Sequence, residues 1–297
     1  MSETFNKYFT EIGTNLADQL PNPSKSFNTF LDPVTCSFQL EPVSLSKVLK
    51  LLKNLPINKA TGLDKIPCRL VNLAAPLIAE SLCCIFNTSI SSNIFPSDWK
   101  IAKIIPIHKG NAKDDLSNYR PISILSPISK MFERLIYDQL YDCLSDHGLL
   151  LECRSGFRRY HSTTTLLLNW HYQWMVCQYG SRKIELSGLP WPVNHSILIN
   201  KLYPYGLCNI TVEWFNSYLT GRTQQYFING HLSSPRVVSC GVPQGSILGP
   251  LLFLMYINDL SNCLKFSKPR MFVDDTTVRT SGISIVQTIQ NENSWHC

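Results

Sequence analysis

The sequence predicts an α+β fold, in which amphipathic helices are connected to short strands and hairpins. The composition is that of an ordinary globular protein, with 297 residues of which 44% are hydrophobic and 16% charged. Apolar residues recur at helix spacing through much of the chain, whereas a few shorter runs are typical of strands and end in turn residues. The length suits one large domain or two small ones.

The helices are predicted from apolar residues three and four positions apart and from their end signals. Ser44 or Ser46 is suited to cap the second helix, and Pro56 prevents that helix from continuing. Gly148 ends a long amphipathic helix, and the last helix is apolar on nearly all sides, which indicates burial. The helical segments are residues 1–20, 44–55, 69–92, 128–148, 196–220 and 247–264, with one more helix expected after the basic turn at 154–163.

The strands are predicted from short apolar runs that are bounded by turns. "WKIAKIIPIHKG" and "SNYRPISILS" each contain one, and Asn229-Gly230 favours a two-residue hairpin turn between two more. A Phe-x-Asp-Asp run starting at Phe272 suits a tight hairpin with the acids at its tip. Residues 169–192 show no clean period.

Charge, cysteine spacing and targeting signals indicate which partners, sites and cell compartment to expect. The net charge of +6 is compatible with a polyanionic partner, although many plain soluble proteins have a similar charge. The 11 cysteines include no C-x-x-C pair, which argues against a zinc site and against a disulfide framework. No signal peptide and no apolar run of about 18 residues is present, so we expect an intracellular protein outside membranes, nuclear or cytoplasmic.

Asp274 and Asp275 are adjacent acids inside an apolar, β-branched run. Two neighbouring anions at ~4 Å repel by roughly 4 kcal/mol at an effective dielectric of about 20. Divalent metal ions would offset this repulsion, and carboxylates that hold two Mg²⁺ ions are a known way to activate a hydroxyl and neutralise a leaving phosphate. The alternative is an exposed acidic turn without a ligand.

The string "CGVPQGSILGPLLF" is the most specific segment of the chain. Its glycines, among them Gly245, permit close backbone approach, and Gln244 offers a planar amide that could read or brace a nucleotide. A glycine-rich turn before a core helix is the alternative interpretation.

Several cations are placed where they could contact phosphate. Lys103, Lys109 and Arg120 lie on or beside the first predicted strands, and Arg158 and Arg159 stand among aromatic residues in "GFRRYHS". A solvated charged face is the commoner fate of such residues, and the alternative stays open.

Taken in order, several strings resemble the reverse transcriptase domain of non-LTR retrotransposons of the jockey and chicken-repeat type. The resemblance runs from "FNKYFTEIG" almost to the end of the chain. The strings that carry it are "NKATGLDKIP", "IIPIHKG", "NYRPIS", "GFRRYHST", "VNHSILINKL", "GVPQGSILGPLLF" and "FVDDT".

The resemblance implies a right-hand polymerase with an antiparallel palm sheet packed on helices. Residues 1–55 would be a helical extension and 56–297 the reverse transcriptase domain, with fingers at about 56–170 and an incomplete palm at about 180–297. The implied ligands are an RNA template, a DNA primer, deoxynucleoside triphosphates and Mg²⁺ or Mn²⁺; the oligomeric state is left open.

The resemblance also assigns roles to residues. Asp274 would be the principal metal ligand, and Asp275 would help to hold the site. Lys109 and Arg120 would contact the incoming triphosphate, while Gln244 and Gly245 would lie against template and nucleotide. Lys103, Arg158 and Arg159 are expected to contact nucleic acid.

One position departs from the family pattern. Counting back from Val193 places Glu185 at the third metal-binding acid, where the family has Asp, and Pro190 at an expected aromatic residue. Glu is one methylene longer than Asp, and prolines are unfavourable in a central strand. We interpret residues 169–192 as a local frameshift or a mis-joined exon, and we expect little or no polymerase activity from this copy.

The chain is also expected to lack a thumb, since it ends shortly after the paired acids. Three hypotheses therefore stand at this point: a reverse transcriptase domain, a catalytically dead remnant that still binds nucleic acid, and a non-functional, pseudogene-like reading frame.

Overall fold

The computed structural model describes residues 1–17, 34, 36–110, 112–151, 156–162, 164, 181–186, 193–262, 267–272 and 275–281. For residues 16–17, 181–186, 267–270, 272 and 275–281 it describes the backbone alone.

The helices mostly follow the predicted periodicity. Ser44 caps the second helix as predicted, accepting a hydrogen bond from the N–H of Lys47. None of the helices in the described part of the chain combines the length and the apolar character needed to cross a bilayer. The helices are α1 Ser2–Ala17, α2 Leu45–Lys53, α3 Cys68–Leu73, α4 Ala75–Ser92, α5 Pro127–Asp146, α6 His195–Leu202, α7 Asn209–Leu219 and α8 Leu248–Ile257, with 3-10 turns at Ser97–Lys100, Leu116–Asn118 and Asn258–Ser261.

The predictions for residues 69–92 and 196–220 are wrong in one respect. Each segment was predicted as one helix and forms two. The first is broken at Ala74, and Pro76 lies in the first turn of α4, since proline lacks the N–H that would continue α3 but fits a first helical turn. The second is broken at residues 203–208, where Gly206 has a φ of +82°. There the chain leaves the helix, and the carbonyl oxygen of Gly206 accepts a hydrogen bond from the N–H of Phe38.

The strands form two sheets, which together with the helices confirm the α+β class. One sheet has the order β2-β1-β4-β5, with β6 also paired to β4; its β1–β2 pair is antiparallel and its β1–β4 pair is parallel. The other has the order β3-β8-β7 and is antiparallel throughout. The strands are β1 Ile101–His108, β2 Tyr119–Ile124, β3 Ser181–Leu186, β4 Thr223–Ile228, β5 His231–Leu232, β6 Arg236–Val237, β7 Ser267–Phe272 and β8 Asp275–Ser281.

Both predicted hairpins are confirmed. Asn229 and Gly230 have φ values of +49° and +83°, and Ile228 pairs with His231, which is the geometry of a two-residue primed turn. Phe272 pairs with Asp275, so β7 and β8 are also joined through two residues.

The main core contains a cluster of aromatic side chains from α4, α5 and α7. The rings of Phe86 and Phe132 are stacked with their centroids 4.6 Å apart, and Phe95 packs edge-on against Tyr218 at 5.0 Å. The buried Trp214 also lies against Phe132, at 5.6 Å. Rings packed in this way fix the rotation of α5, and they therefore fix which of its residues face inward.

A buried carboxylate on α5 holds the start of α8. Glu133 accepts hydrogen bonds from the backbone N–H of Ile247 (2.6 Å) and of Leu248 (3.4 Å), and from the Tyr218 hydroxyl (3.2 Å). Burial raises its pKa, while nearby Arg222 and the N–H donors act in the opposite direction. The acid thus satisfies donors at the N-terminus of α8 from within the protein core.

Helix α1 is attached to the strands by a buried amide. Asn6 donates to the carbonyl oxygens of Gln224 (3.3 Å) and Ser234 (2.8 Å) and to the Ser233 hydroxyl (3.0 Å). Phe5, on the same helix, packs on Tyr226 of β4 at 5.9 Å between centroids. The division of the chain at residue 55 stays a prediction, and α1 contacts β4 and β6 directly.

We expect Glu133→Ala to lower the free energy of unfolding by at least about 3 kcal/mol, because each buried donor left unpaired costs roughly 1–3 kcal/mol. Glu133→Gln keeps an acceptor oxygen and should lose only about 1–2 kcal/mol. Urea unfolding followed by circular dichroism measures both changes. Glu80→Ala, at an exposed position of α4, is the control and should change stability by less than about 0.5 kcal/mol. Equal losses for the Ala and Gln variants would contradict the role of the hydrogen bonds.

Candidate active site and nucleic-acid interface

The loop between β6 and α8, residues 238–247, is the glycine loop. It is held by backbone hydrogen bonds on two sides. The N–H of Gly241 donates to the carbonyl of Val193 at 2.7 Å, and the N–H of Ser123 in β2 donates to the carbonyl of Gln244 at 2.8 Å. Together with the contact from Glu133 at its far end, these bonds fix the main chain of the loop. The side chain of Gln244 is left exposed.

His195 supports the same loop as a neutral ring. Its Nε2 lies 2.7 Å from the carbonyl oxygen of Gly241. Burial lowers the pKa of His195 and the charge of Arg222 acts in the same direction, while the bond to Gly241 raises it. Because the net shift is downward, the neutral ring can donate Nε2–H to the carbonyl near neutral pH.

A side chain would meet a close contact at two glycines, Gly245 in the loop and Gly249 at the start of α8. Gly245 has a φ of +128°, and a Cβ there would lie 2.5 Å from the carbonyl oxygen of Ser123. A Cβ at Gly249 would lie 2.5 Å from the hydroxyl of Ser246, which accepts a hydrogen bond from the Gly249 N–H. The close approach predicted from the sequence is therefore present at both positions.

A cavity of 790 Å³ opens between the loop, the β1–β2 hairpin, β4 and α1. Three residues singled out from the sequence line it, namely Arg120, Gln244 and Gly245. Apolar walls are contributed by Phe9 of α1 and by Phe157, which is next to Arg158 in the chain. The cavity thus combines a cation, an exposed amide and glycine backbone with aromatic surface.

A second cation in the cavity wall is buried. Arg222 is 2% exposed; its Nη1 donates to the carbonyl of Tyr218 at 3.0 Å, and its guanidinium lies 4.8 Å from the centre of the Tyr218 ring. Among the described residues, its Nη2 has no hydrogen-bond partner. Its charge also contributes to lowering the pKa of Lys100, for which burial is the larger cause. A buried guanidinium with a free donor makes this wall favourable for an anion.

The other predicted nucleic-acid contacts lie away from the cavity lining. Lys103 stacks on the ring of Phe227 at 4.1 Å, and Lys109 donates to the carbonyl of Ser117 at 3.0 Å. Both ammonium groups therefore lie close to the surface of the β1–β2 hairpin.

The basic turn is attached to α5. Arg158 donates to the carbonyl of Leu151 at 2.8 Å. Arg159 forms ion pairs with Asp138 (3.1 Å) and Asp142 (2.9 Å) on α5. These pairs are exposed and worth only ~0–1 kcal/mol, so a phosphate could replace them at little cost.

The acids assigned to metal binding are only partly described. Asp274 lies outside the described residues, and Asp275 begins β8. In the β3–β8 register Glu185 pairs with Thr277, two positions from Asp275. Because strand residues alternate between faces, positions 185, 277 and 275 belong to one face of this sheet. The register therefore places Glu185 and Asp275 as diagonal neighbours. The prolines that we expected to disturb this strand lie at 190 and 192, outside the described residues and beyond the end of β3.

Sequence reasoning missed Glu133, Arg222 and the contribution of α1. A signal was present for Glu133, since it lies four residues after Ser129 and three before Ile136 on the buried stripe of α5. No signal in the sequence distinguishes Arg222 from the arginines at the surface, because its burial results from packing between distant segments.

The arrangement is suited to hold a flexible polyanion with planar rings. Cations bind phosphate oxygens, aromatic side chains offer stacking surface, and a rigid glycine loop permits close approach of a backbone or a base. A nucleotide or a nucleic-acid strand has both features.

Comparison with known proteins agrees with this chemistry. The family model described as reverse transcriptase (RNA-dependent DNA polymerase) matches residues 107–294. "Probable RNA-directed DNA polymerase from transposon BS" of Drosophila melanogaster is 33% identical over 280 residues, covering 88% of this chain and 29% of that protein. "RNA-directed DNA polymerase from mobile element jockey" of the same species is 31% identical over 270 residues, covering 86% of this chain and 29% of that protein.

The chain thus spans less than a third of the length of these relatives. The family match includes β2, the glycine loop, α8 and the hairpin of the paired acids. It extends over more than half of the chain, and the chain belongs to the reverse transcriptase (RNA-dependent DNA polymerase) family.

Proposed function

We propose that the chain is the fingers and palm of a retrotransposon reverse transcriptase, a domain that extends a DNA primer on an RNA template, and that this copy retains little of that activity. The primer 3′-hydroxyl oxygen would attack the α-phosphorus of a deoxynucleoside triphosphate. A new phosphodiester bond forms, the bond to pyrophosphate breaks and the hydroxyl proton is released. Residues at about 56–170 would serve as fingers and about 180–297 as palm.

The observation that carries the proposal is the cavity beside the glycine loop. Arg120 and Arg222 supply positive charge on its walls, and Gln244 is exposed above a main chain that is fixed from both sides. Such positioning accounts for much of the catalysis expected in phosphoryl transfer, where little covalent chemistry is required of the protein.

Glu185, Asp274 and Asp275 would hold the divalent metal ions. The fit rests on the β3–β8 register, which brings positions 185 and 275 to one face at the tip of the β7–β8 hairpin. Carboxylate oxygens are the donors that Mg²⁺ prefers. When bound, the ions would activate the attacking hydroxyl and neutralise the leaving pyrophosphate. The chain itself would contribute the acids next to the β7–β8 connection and the cations that orient the phosphates.

A second candidate function is nucleic-acid binding without synthesis. Glu185 favours it, because the extra methylene displaces the carboxylate relative to Asp, and errors of about 1 Å can cost ~10²-fold in rate. The cavity and its cations do not depend on that residue, so binding can persist when synthesis is lost.

We expect the chain to extend a primer on an RNA template slowly, and Glu185→Asp to increase the rate by about 10- to 100-fold. Asp274→Ala should abolish extension. Single-nucleotide incorporation with Mg²⁺ or Mn²⁺, resolved on a gel, measures the rates. Glu80→Asp shortens an exposed acid by the same methylene and should leave the rate unchanged.

The outcomes separate the hypotheses. Extension that survives Asp274→Ala would contradict the assignment of the paired acids. RNA binding without extension, in both the wild-type chain and Glu185→Asp, would support the second candidate. A chain that neither binds RNA at low salt nor unfolds cooperatively would be a non-functional reading frame.

Arg120→Ala should weaken binding of single-stranded RNA and reduce the slope of log K against log salt by about 0.7 for a lost phosphate contact. Fluorescence anisotropy across a salt series measures both quantities. Arg134→Ala, which removes an exposed cation paired with Asp138 on α5, is the matched control and should leave the slope unchanged. An equal effect of the two variants would show that binding follows net charge rather than the cavity.

A further inference from the structure

Three soft metal-ligating side chains meet at the end of α5, in a place that the polymerase chemistry does not use. The Sγ atoms of Cys36 and Cys143 and a ring nitrogen of His147 all lie within 4.8 Å of one another. Both cysteines are partly buried and His147 is exposed, so the group lies at the protein surface. The segments that contribute it are far apart in the chain.

The helix supplies two of the ligands in a fixed geometry. Cys143 and His147 are four residues apart, so they lie on one face of the last turn of α5. The distance from Cys143 Sγ to His147 Nδ1 is 3.8 Å. A tetrahedral zinc ion with bonds of ~2.3 Å to sulfur and ~2.0 Å to nitrogen would separate these atoms by about 3.5 Å. The spacing of the two atoms therefore suits such an ion. Nδ1 also lies 2.9 Å from the carbonyl oxygen of Cys143, and it would give up this hydrogen bond when the ion binds.

The third ligand is placed by main-chain pairing. Phe38 donates its N–H to the carbonyl of Gly206 at 2.7 Å, and Cys208 donates to the carbonyl of Phe38 at 3.0 Å. Gly206 has a φ of +82°, and a Cβ at this glycine would collide with the carbonyl oxygen of Cys36. The backbone of Cys36 thus packs directly on Gly206. This contact fixes the position from which the Cys36 thiol approaches α5.

The thiols lack strong partners within the described residues. Cys36 Sγ lies 3.8 Å from the carbonyl oxygen of Tyr205, which is a weak contact. Burial raises the pKa of Cys143, and the neighbouring Cys36 acts in the same direction. A bound divalent cation would instead favour deprotonation, because it stabilises both thiolates.

We propose that Cys36, Cys143 and His147 bind a zinc-type divalent ion with a fourth, solvent-facing position. Sulfur and imidazole select such an ion over Mg²⁺, so this site and the carboxylates of the β7–β8 hairpin would bind different metals. The ion would join two segments directly, namely the chain before α2 and the end of α5. Its role is structural, because none of its ligands lines the cavity.

The test is titration of the metal-free chain with Co²⁺, a spectroscopic substitute for Zn²⁺. We expect one ion per chain, with the visible absorption of tetrahedral cobalt and thiolate charge-transfer bands, and displacement by Zn²⁺. His147→Ala changes an exposed residue and should weaken binding by about tenfold or more, as should Cys143→Ser. Cys84→Ser removes an exposed cysteine on α4 and is the control, which should bind as the wild-type chain does.

A second measurement does not depend on variants that might misfold. Zn²⁺ should protect Cys36 and Cys143 of the native chain from alkylation, read by mass spectrometry, while Cys84 stays reactive. The proposal is overturned if cobalt shows no thiolate bands, or if binding survives the Cys36→Ser/Cys143→Ser pair. A disulfide between Cys36 and Cys143 that forms in the presence of Zn²⁺ would overturn it as well.

Discussion

The buried carboxylate of Glu133 is the contact on which the candidate site depends. It joins α5 to the first N–H groups of α8 and to the Tyr218 hydroxyl of α7, inside an aromatic core. An ionisable group in such surroundings is tolerated only when its partners are in place, so the three helices cannot shift independently. The glycine loop ends at Ile247, which is bound to Glu133. The packing of α5 therefore determines the position of this end of the loop.

The second constraint is strand register. In the antiparallel β3–β8 pair, a shift by one residue would move Glu185 to the opposite face from Asp275. The observed register therefore places positions 185 and 275 on one face of the sheet. In the proposed assignment the departure at residue 185 is one of side-chain length, which is why a single substitution is expected to test it.

Local patterns in the sequence predicted most of the elements but few of the contacts. Ser44, Gly148 and Asn229-Gly230 act through neighbouring residues, and the ends and turns that they predict are found. Pro76 and Gly206 break helices that periodicity alone continues, because apolar spacing persists across a change of direction. Arg222 and the cluster around Cys143 depend on packing between distant segments, which the spacing of residues in the sequence does not reveal.

The two walls of the cavity differ in kind, and this difference suits a nucleic acid. Helix α1 contributes Phe9 and Ile12, and it is attached to β4 through the buried amide of Asn6. The opposite wall is the polar glycine loop, with Arg222 close to both. A strand lying between them would meet apolar surface on one side and hydrogen-bonding groups with positive charge on the other. Because a nucleotide has a planar apolar face and an anionic edge, the helix would be part of the binding surface rather than an appendage to it.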